Sequence, residues 1–191
     1  MSDTPLTIAV IHGTSREQNR SIHAARFVMA ELKKHGIHVK FVEPADYIIG
    51  RTEDNPEKDP RLLLWQKIAA SADAFVIVTP EYNRGYPGEL KMLLDALYDE
   101  YEKKPVGLIG VSNGGFGGAS VVTNILPVLK ELGMVIIRET IRISKIQDVF
   151  DEEGRLKDEK YIQRFDDFFD ELLWFASLLK KRELTDPHET S

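Results

Sequence analysis

Ala74-Phe75-Val76-Ile77-Val78 is an uninterrupted apolar run, too short for an independent helix and lacking a polar face. A strand of this kind has to be covered on both sides, which points to a parallel sheet between two helical layers. The rest of the chain has the same rhythm. Apolar runs at Leu6–Ile11, Val39–Val42, Val106–Val111 and Val135–Arg138 alternate with segments of helical period. The helical segments are about 19–35, with Ile22, Ala25, Met29 and Leu32 on one face and Gly36 as its stop; 62–71; a stripe of Leu90, Leu93, Leu94, Leu97, Tyr98 and Tyr101 behind Pro87; 119–132; and 159–180. Pro127 falls inside the fourth of these and should remove one backbone bond. Residues 44–60 are polar and read as a long irregular loop, and 181–191 as a polar tail that frays.

Strand–helix alternation of this kind fits an α/β/α sandwich with a five-stranded parallel sheet in the order 2-1-3-4-5. The length of 191 residues suits a single domain over 1–191. In that topology the sheet's switch point lies between the first and third strands, with the fourth strand alongside. The loops leaving those three strands therefore meet at one edge, and they are the unusual loops of this chain.

The first, Gly13-Thr14-Ser15-Arg16 with Asn19 and Ser21, places hydroxyls, a cation and unpaired amides at a helix start, a setting that favours a phosphate. Ordinary N-capping would explain one or two of these residues, and no nucleoside-triphosphate or dinucleotide glycine motif is present. The second, Pro80-Glu81-Tyr82-Asn83-Arg84-Gly85-Tyr86-Pro87-Gly88, offers Tyr82 and Tyr86 as ring walls and Asn83 as an amide partner, or simply a Pro/Gly turn with surface tyrosines. The third, Ser112-Asn113-Gly114-Gly115-Phe116-Gly117-Gly118, has four glycines in five positions, which allow backbone to approach a flat ligand closely.

Composition narrows the function. A formal net charge of −6 argues against a nucleic-acid or anionic-membrane partner, and no run reaches the roughly 20 apolar residues of a membrane span. With no recognisable secretory signal, the expected compartment is the cytoplasm. The chain has no Cys, so any redox chemistry must be carried by a bound cofactor. The five His lack zinc-protease spacing, no metal site is expected, and no G-x-S-x-G elbow suggests a hydrolase. Asp151-Glu152-Glu153-Gly154 reads as a β-turn, since Val149 would occupy the first ligand position of a calcium loop.

These loops resemble those of the NADPH-dependent FMN reductase family of the flavodoxin-like fold. The resemblance rests on Gly13-Thr14-Ser15-Arg16, on Pro80-Glu81-Tyr82-Asn83 with Pro87-Gly88 and Leu90-Lys91, on Ser112, Gly114, Gly117 and Gly118, and on Phe150–Leu156. It implies a non-covalent FMN. Thr14, Ser15, Arg16, Asn19 and Ser21 would hold the phosphate, and Pro80, Glu81, Tyr82 and Asn83 with Ser112, Asn113, Gly114 and Gly115 would surround the ring. It also implies NADPH or NADH as donor, a ping-pong transfer of hydride to the flavin and then to a small acceptor (quinone, azo compound, flavin or metal oxyanion), and a homodimer or homotetramer. No catalytic side chain is implied. Arg84, Tyr86 and Phe116 are expected near the nicotinamide. Thr14 for Ser, the charged Glu17 and Asn19 for a second Ser depart from the family pattern. A flavodoxin-type electron carrier is the alternative, disfavoured by Arg16 and by the modest negative charge. An FMN-free interaction protein on the same fold is a third reading.

Overall fold

The structure is a computed structural model that describes residues 5–53, 55–151 and 153–183. Five strands, β1 (Thr7–His12), β2 (His38–Val42), β3 (Ala74–Pro80), β4 (Pro105–Val111) and β5 (Val135–Ile143), form one parallel sheet in the order 2-1-3-4-5. Alternate side chains feed opposite layers. Ile8, Val10, Val76, Val78 and Ile109 face the layer of α1 (Ser21–Lys34), the short α6 (Ile146–Val149) and α7 (Ile162–Glu183). Ala9, Ile11, Phe75, Ile77 and Leu108 face α3 (Pro60–Ser71), α4 (Gly88–Leu94) and α5 (Ala119–Glu131). Every residue of β3 and β4 is buried, as a central strand covered on both faces requires.

Several local expectations change. Segment 44–60 carries structure: α2 (Pro44–Tyr47), a 3-10 turn at Pro56–Lys58, and Tyr47 buried with its ring 6.0 Å from that of Trp65. Asp59 caps α3 by accepting the Arg61 amide at 2.9 Å, so that helix starts at Pro60.

The stripe from Leu90 to Tyr101 is not one helix. In a continuing helix the Leu93 carbonyl would accept the Leu97 amide. It accepts instead from the buried Trp65 indole at 3.1 Å and from the Tyr101 hydroxyl at 3.4 Å. The chain breaks after Leu94, and a 3-10 turn at Asp99–Tyr101 still returns Tyr101 to the core. Tyr98 is left outside, 59% exposed.

Strand β5 runs past Arg138 to Ile143, as an edge strand of alternating burial. Its pairing with β4 shifts between Val106 and Leu108, and Glu171 of α7 accepts the amides of Arg138 (3.3 Å) and Glu139 (2.7 Å) at the irregularity. In α5, Pro127 is interior as expected; the period places Val122, Ile125, Leu126 and Leu129 on one face, whereas Val121, Ile125 and Leu129 are the buried residues and Leu126 is exposed. Finally, α7 continues to Glu183; of the tail expected to fray, 184–191 lies outside the described residues, as does Glu152 of the Asp151–Gly154 turn. In the rest of that turn, the Asp151 carboxylate accepts the amides of Glu153 and Arg155 at 3.1 and 2.7 Å.

Candidate functional site

The loops after β1, β3 and β4 converge at the carboxyl edge of the sheet, where open α/β sheets take ligands. Between them lie two adjoining depressions of about 300 and 410 Å³ that share Arg16, Glu81, Tyr82, Ser112 and Asn113 as walls. Larger depressions, of about 650 Å³ each, lie between the α4–β4 connection and α5 and between α1 and α7. The helix start, the hydroxyls and the arginines gather at the sheet edge, which is therefore the candidate site.

The first loop is pressed onto the second. A Cβ on Gly13 would stand 2.9 Å from Leu90 Cδ2 and 3.0 Å from Thr79, so an added methyl would push on both side chains. Thr14 is fully buried. Its hydroxyl lies 3.1 Å from Tyr82 Oη, donates to Glu89 Oε1 at 3.1 Å and accepts the Arg16 amide at 3.2 Å. The Ser15 amide also donates to Glu89, at 3.0 Å. Thr14 is thus a hinge between loops, and the Arg16 guanidinium sits 4.1 Å over the Tyr82 ring. Asn19 donates to the Arg16 carbonyl at 2.7 Å, while its Oδ1 accepts the Ile22 amide at 3.0 Å and lies 3.2 Å from Ser21 Oγ. It is the side chain that caps α1, two residues ahead of Ser21. Arg16, Asn19 and Ser21 line the inner depression with Gln18 and Arg20.

In the second loop, Tyr82 and Gly85 exchange backbone bonds of 2.9 and 3.0 Å across a tight turn. Asn83 (φ 51°) and Arg84 (φ 70°) occupy its centre, both in the left-handed region that the mirror-image hairpin turn demands. Asn tolerates this conformation; Arg does so at a cost of about 1–2 kcal/mol. Arg84 lies beside the site, 5.9 Å from the ring of Phe116, which is 75% exposed. The Glu81 carboxylate accepts the Ser120 and Val121 amides at 3.0 and 3.3 Å, tying the loop to the N-terminus of α5. Tyr86 does not pair with Tyr82 as a second wall. It packs, half-buried, against the α3–α4–α5 core. Pro80, at the end of β3, forms part of the inner wall.

The third loop is pinned at one end and open at the other. Gly117 and Gly118 are buried against β5 and β4 with φ of 61° and 73°. Gly114 and Gly115 have nothing within 4 Å of where a Cβ would stand, so their Cα side is open to a flat ligand. Ser112 donates to the Gly114 carbonyl at 3.0 Å and with Asn113 forms the wall shared by the two depressions. Ser15, Asn83 and Gly115 lie on the exposed rim.

Sequence reasoning missed His12, Glu43 and Glu89. His12 is fully buried, with Nδ1 3.0 Å from Glu43 Oε1 and Nε2 2.9 Å from Ser21 Oγ. Burial holds its pKa below the usual value, against the opposing pull of Glu43. The signal was in the register: Ile11 pairs with Val42, so the next residues along, His12 and Glu43, leave the sheet side by side.

Residues 6–148 match the family described as NADPH-dependent FMN reductase. A NAD(P)H-dependent FMN reductase of Saccharomyces cerevisiae is 40% identical over 79 residues, 41% of this chain and 40% of that protein. The chain thus spans less than half the length of that relative. A quinone reductase of Pseudomonas putida is 28% identical over 174 residues, covering 85% of this chain and 92% of that one. Among solved structures, the NAD(P)H:(acceptor) oxidoreductase flavoenzyme of Paracoccus denitrificans superposes with a TM-score of 0.76 at 22% identity, covering 92% and 98% of the two chains. That likeness supports the fold.

Proposed function

Because the chain belongs to the NADPH-dependent FMN reductase family, we propose that it is an FMN-dependent oxidoreductase that takes electrons from NADPH or NADH and delivers them to a small acceptor. The observation that carries this reading is the convergence of Arg16, Asn19 and Ser21 at the start of α1 with the open backbone of Gly114 in the adjoining depression. The first set suits a phosphate. The second leaves the face of a flat ring free to lie against Gly114 and Gly115.

The chemistry a bound FMN supplies is the passage of two electrons from the nicotinamide to the acceptor, in two half-reactions at one site. The chain's own residues bind and orient. Arg16, Asn19 and Ser21 would hold the phosphate. The backbone from Pro80 to Asn83 and from Ser112 to Gly115 would flank the ring edge, and Glu81 fixes one of these segments to α5. Arg84 and Phe116, at the outer end, receive the nicotinamide. No side chain has to move a proton to substrate.

The acceptor belongs to the class of quinones, azo compounds, free flavins or metal oxyanions, consistent with relatives named quinone reductase and FMN-dependent NADPH-azoreductase. The site works in the cytoplasm as a homodimer or homotetramer. The face carrying exposed Tyr98 beside α5 is the candidate contact, which sedimentation at several concentrations tests. The test of function is the visible spectrum of the purified protein before and after anaerobic NADPH. Flavin absorbance that bleaches supports the reading. A colourless protein that does not bind added FMN overturns it.

A further inference from the structure

Behind the phosphate end of the groove stands a chain of polar groups for which the proposed reaction has no use. Glu43 Oε1 lies 3.0 Å from His12 Nδ1, His12 Nε2 lies 2.9 Å from Ser21 Oγ, and Ser21 Oγ lies 3.2 Å from Asn19 Oδ1. The order Ser–His–carboxylate is that of a hydrolase triad. Here, however, the Ser is the first residue of α1 and 2% exposed, so it meets the groove only at the wall of the inner depression, enough for a hydrogen bond to an anion's oxygen but not for approach to a carbonyl carbon.

The hydrogen positions impose a different role. The Glu43 carboxylate is an acceptor, so it selects a proton on His12 Nδ1. A neutral ring then has a bare Nε2, and the Ser21 hydroxyl must turn its proton onto it. In that state Ser21 offers an anion only lone pairs. When the ring is cationic, Nε2–H donates to Ser21 Oγ, and the Ser21 proton is released toward Asn19 or toward the groove. The groups that bear on His12 are Glu43 beyond β2, Asn19 and Ser21 at the helix start and Arg26 of α1, while the face of its ring stacks on Phe41 at 6.3 Å. On β3 its pairing partner is the uncharged Val78.

We propose that His12 and Glu43 are positioning residues of the phosphate subsite, and that binding an FMN phosphate dianion there draws one proton onto His12 so that Ser21 can donate to the phosphate. This rests on the reading of the groove as an FMN site. Burial keeps His12 neutral in the free protein at neutral pH, so the uptake has a proton to take. A second negative charge beside the cationic ring stabilises it. The balance is simple: one proton from solvent goes to Nε2, the Ser21 hydroxyl proton swings to phosphate, and no covalent bond changes.

The test is FMN affinity of the full chain by quenching of flavin fluorescence, from pH 6.5 to 8.5, with riboflavin as the phosphate-free control. This window lies above the second ionisation of the phosphate itself, at a pKa of about 6. Wild-type Kd for FMN should weaken as pH rises, by up to about tenfold per pH unit where uptake is complete, because one bound proton links one decade of affinity to each unit. Riboflavin affinity should be flat. His12→Gln and Ser21→Ala should each bind FMN more weakly and lose the slope. Glu43→Gln should move the slope to lower pH by removing the charge that supports the cation.

Ser21→Ala keeps the question open to refutation if His12→Gln fails to fold. A slope unchanged in Ser21→Ala, a slope shared by riboflavin, or a flat wild-type profile overturns the proposal while FMN binding itself upholds the site. A wild-type chain that binds neither flavin overturns the FMN reading, and this proposal with it.

Discussion

Gly118→Ala is the sharpest test of how the glycine loop is built. At this position φ is 73°, and an added Cβ would stand 2.8 Å from Gly110 C and Val111 N and 2.9 Å from Gly110 Cα. All three are backbone atoms of a central strand, which no side-chain rotation can move. The left-handed conformation costs a non-glycine residue about 1–2 kcal/mol. Forcing a methyl into a closed contact costs about 1–3 kcal/mol more. The sum, about 2–5 kcal/mol, is a large part of the roughly 5–15 kcal/mol that holds a domain together. Urea unfolding should show a lower midpoint at unchanged slope, and Tm should fall by several degrees, at about 2–4 °C per kcal/mol for this size. Gly114→Ala is the matched control. Its Cβ meets nothing within 4 Å, so stability should stay within about 0.5 kcal/mol. A Gly118→Ala loss below about 1 kcal/mol, or equal losses at both positions, would refute the claim that one end of the loop is pinned and the other open.

Arg16→Ala should weaken FMN binding about tenfold, roughly 1.4 kcal/mol for one charge-assisted contact, with Tm of the apoprotein unchanged; unaltered flavin affinity removes Arg16 from the phosphate end. Glu171→Ala strips the acceptors from the amides of Arg138 and Glu139 and should cost about 1–3 kcal/mol in urea, part of it regained by Glu171→Gln, whose single side-chain oxygen can still accept one of the two amides; equal loss in both variants would show that neither bond contributes on its own. The apoprotein should lose stability as pH falls below about 6.5. There the unfolded chain protonates His12 while burial still keeps the folded ring neutral, giving a slope of at most about 1.4 kcal/mol per pH unit that ends at the lower folded pKa. His12→Gln should flatten that part of the profile, and the same slope in both proteins would refute the assignment.

What the sequence disclosed follows from the range of the forces involved. The apolar run 74–78 and the strand–helix alternation report burial directly, and they led to the sheet order and to the three loops at its edge. The end of α4 was not legible, because it depends on the Trp65 indole taking a carbonyl 28 residues away. The true length of β5 was hidden for a similar reason, since Glu171 supplies an acceptor where the ladder slips. Glu81 looked like a ligand residue from its motif, yet its carboxylate serves the α5 amides some 40 residues on. Tyr86 alternates with turn residues and looked exposed, but the turn at Asn83-Arg84 reverses the chain and lays it on the core. His12 and Glu43 occupy the middle ground: nothing local marks them, but the register of two adjacent strands places them together once the topology is known.

The slip in β5 bears on how this molecule can meet its own copies. A flat outer strand offers a row of free amides and carbonyls to any other outer strand, which is how sheets of separate molecules fuse. Here Arg138 and Glu139 already give their amides to Glu171, the strand is displaced from regular spacing at that point, and Arg138 and Arg142 stand exposed along it. A second chain approaching this margin finds its template interrupted midway and meets two cations. Sheet-to-sheet growth is therefore hindered on the β5 side.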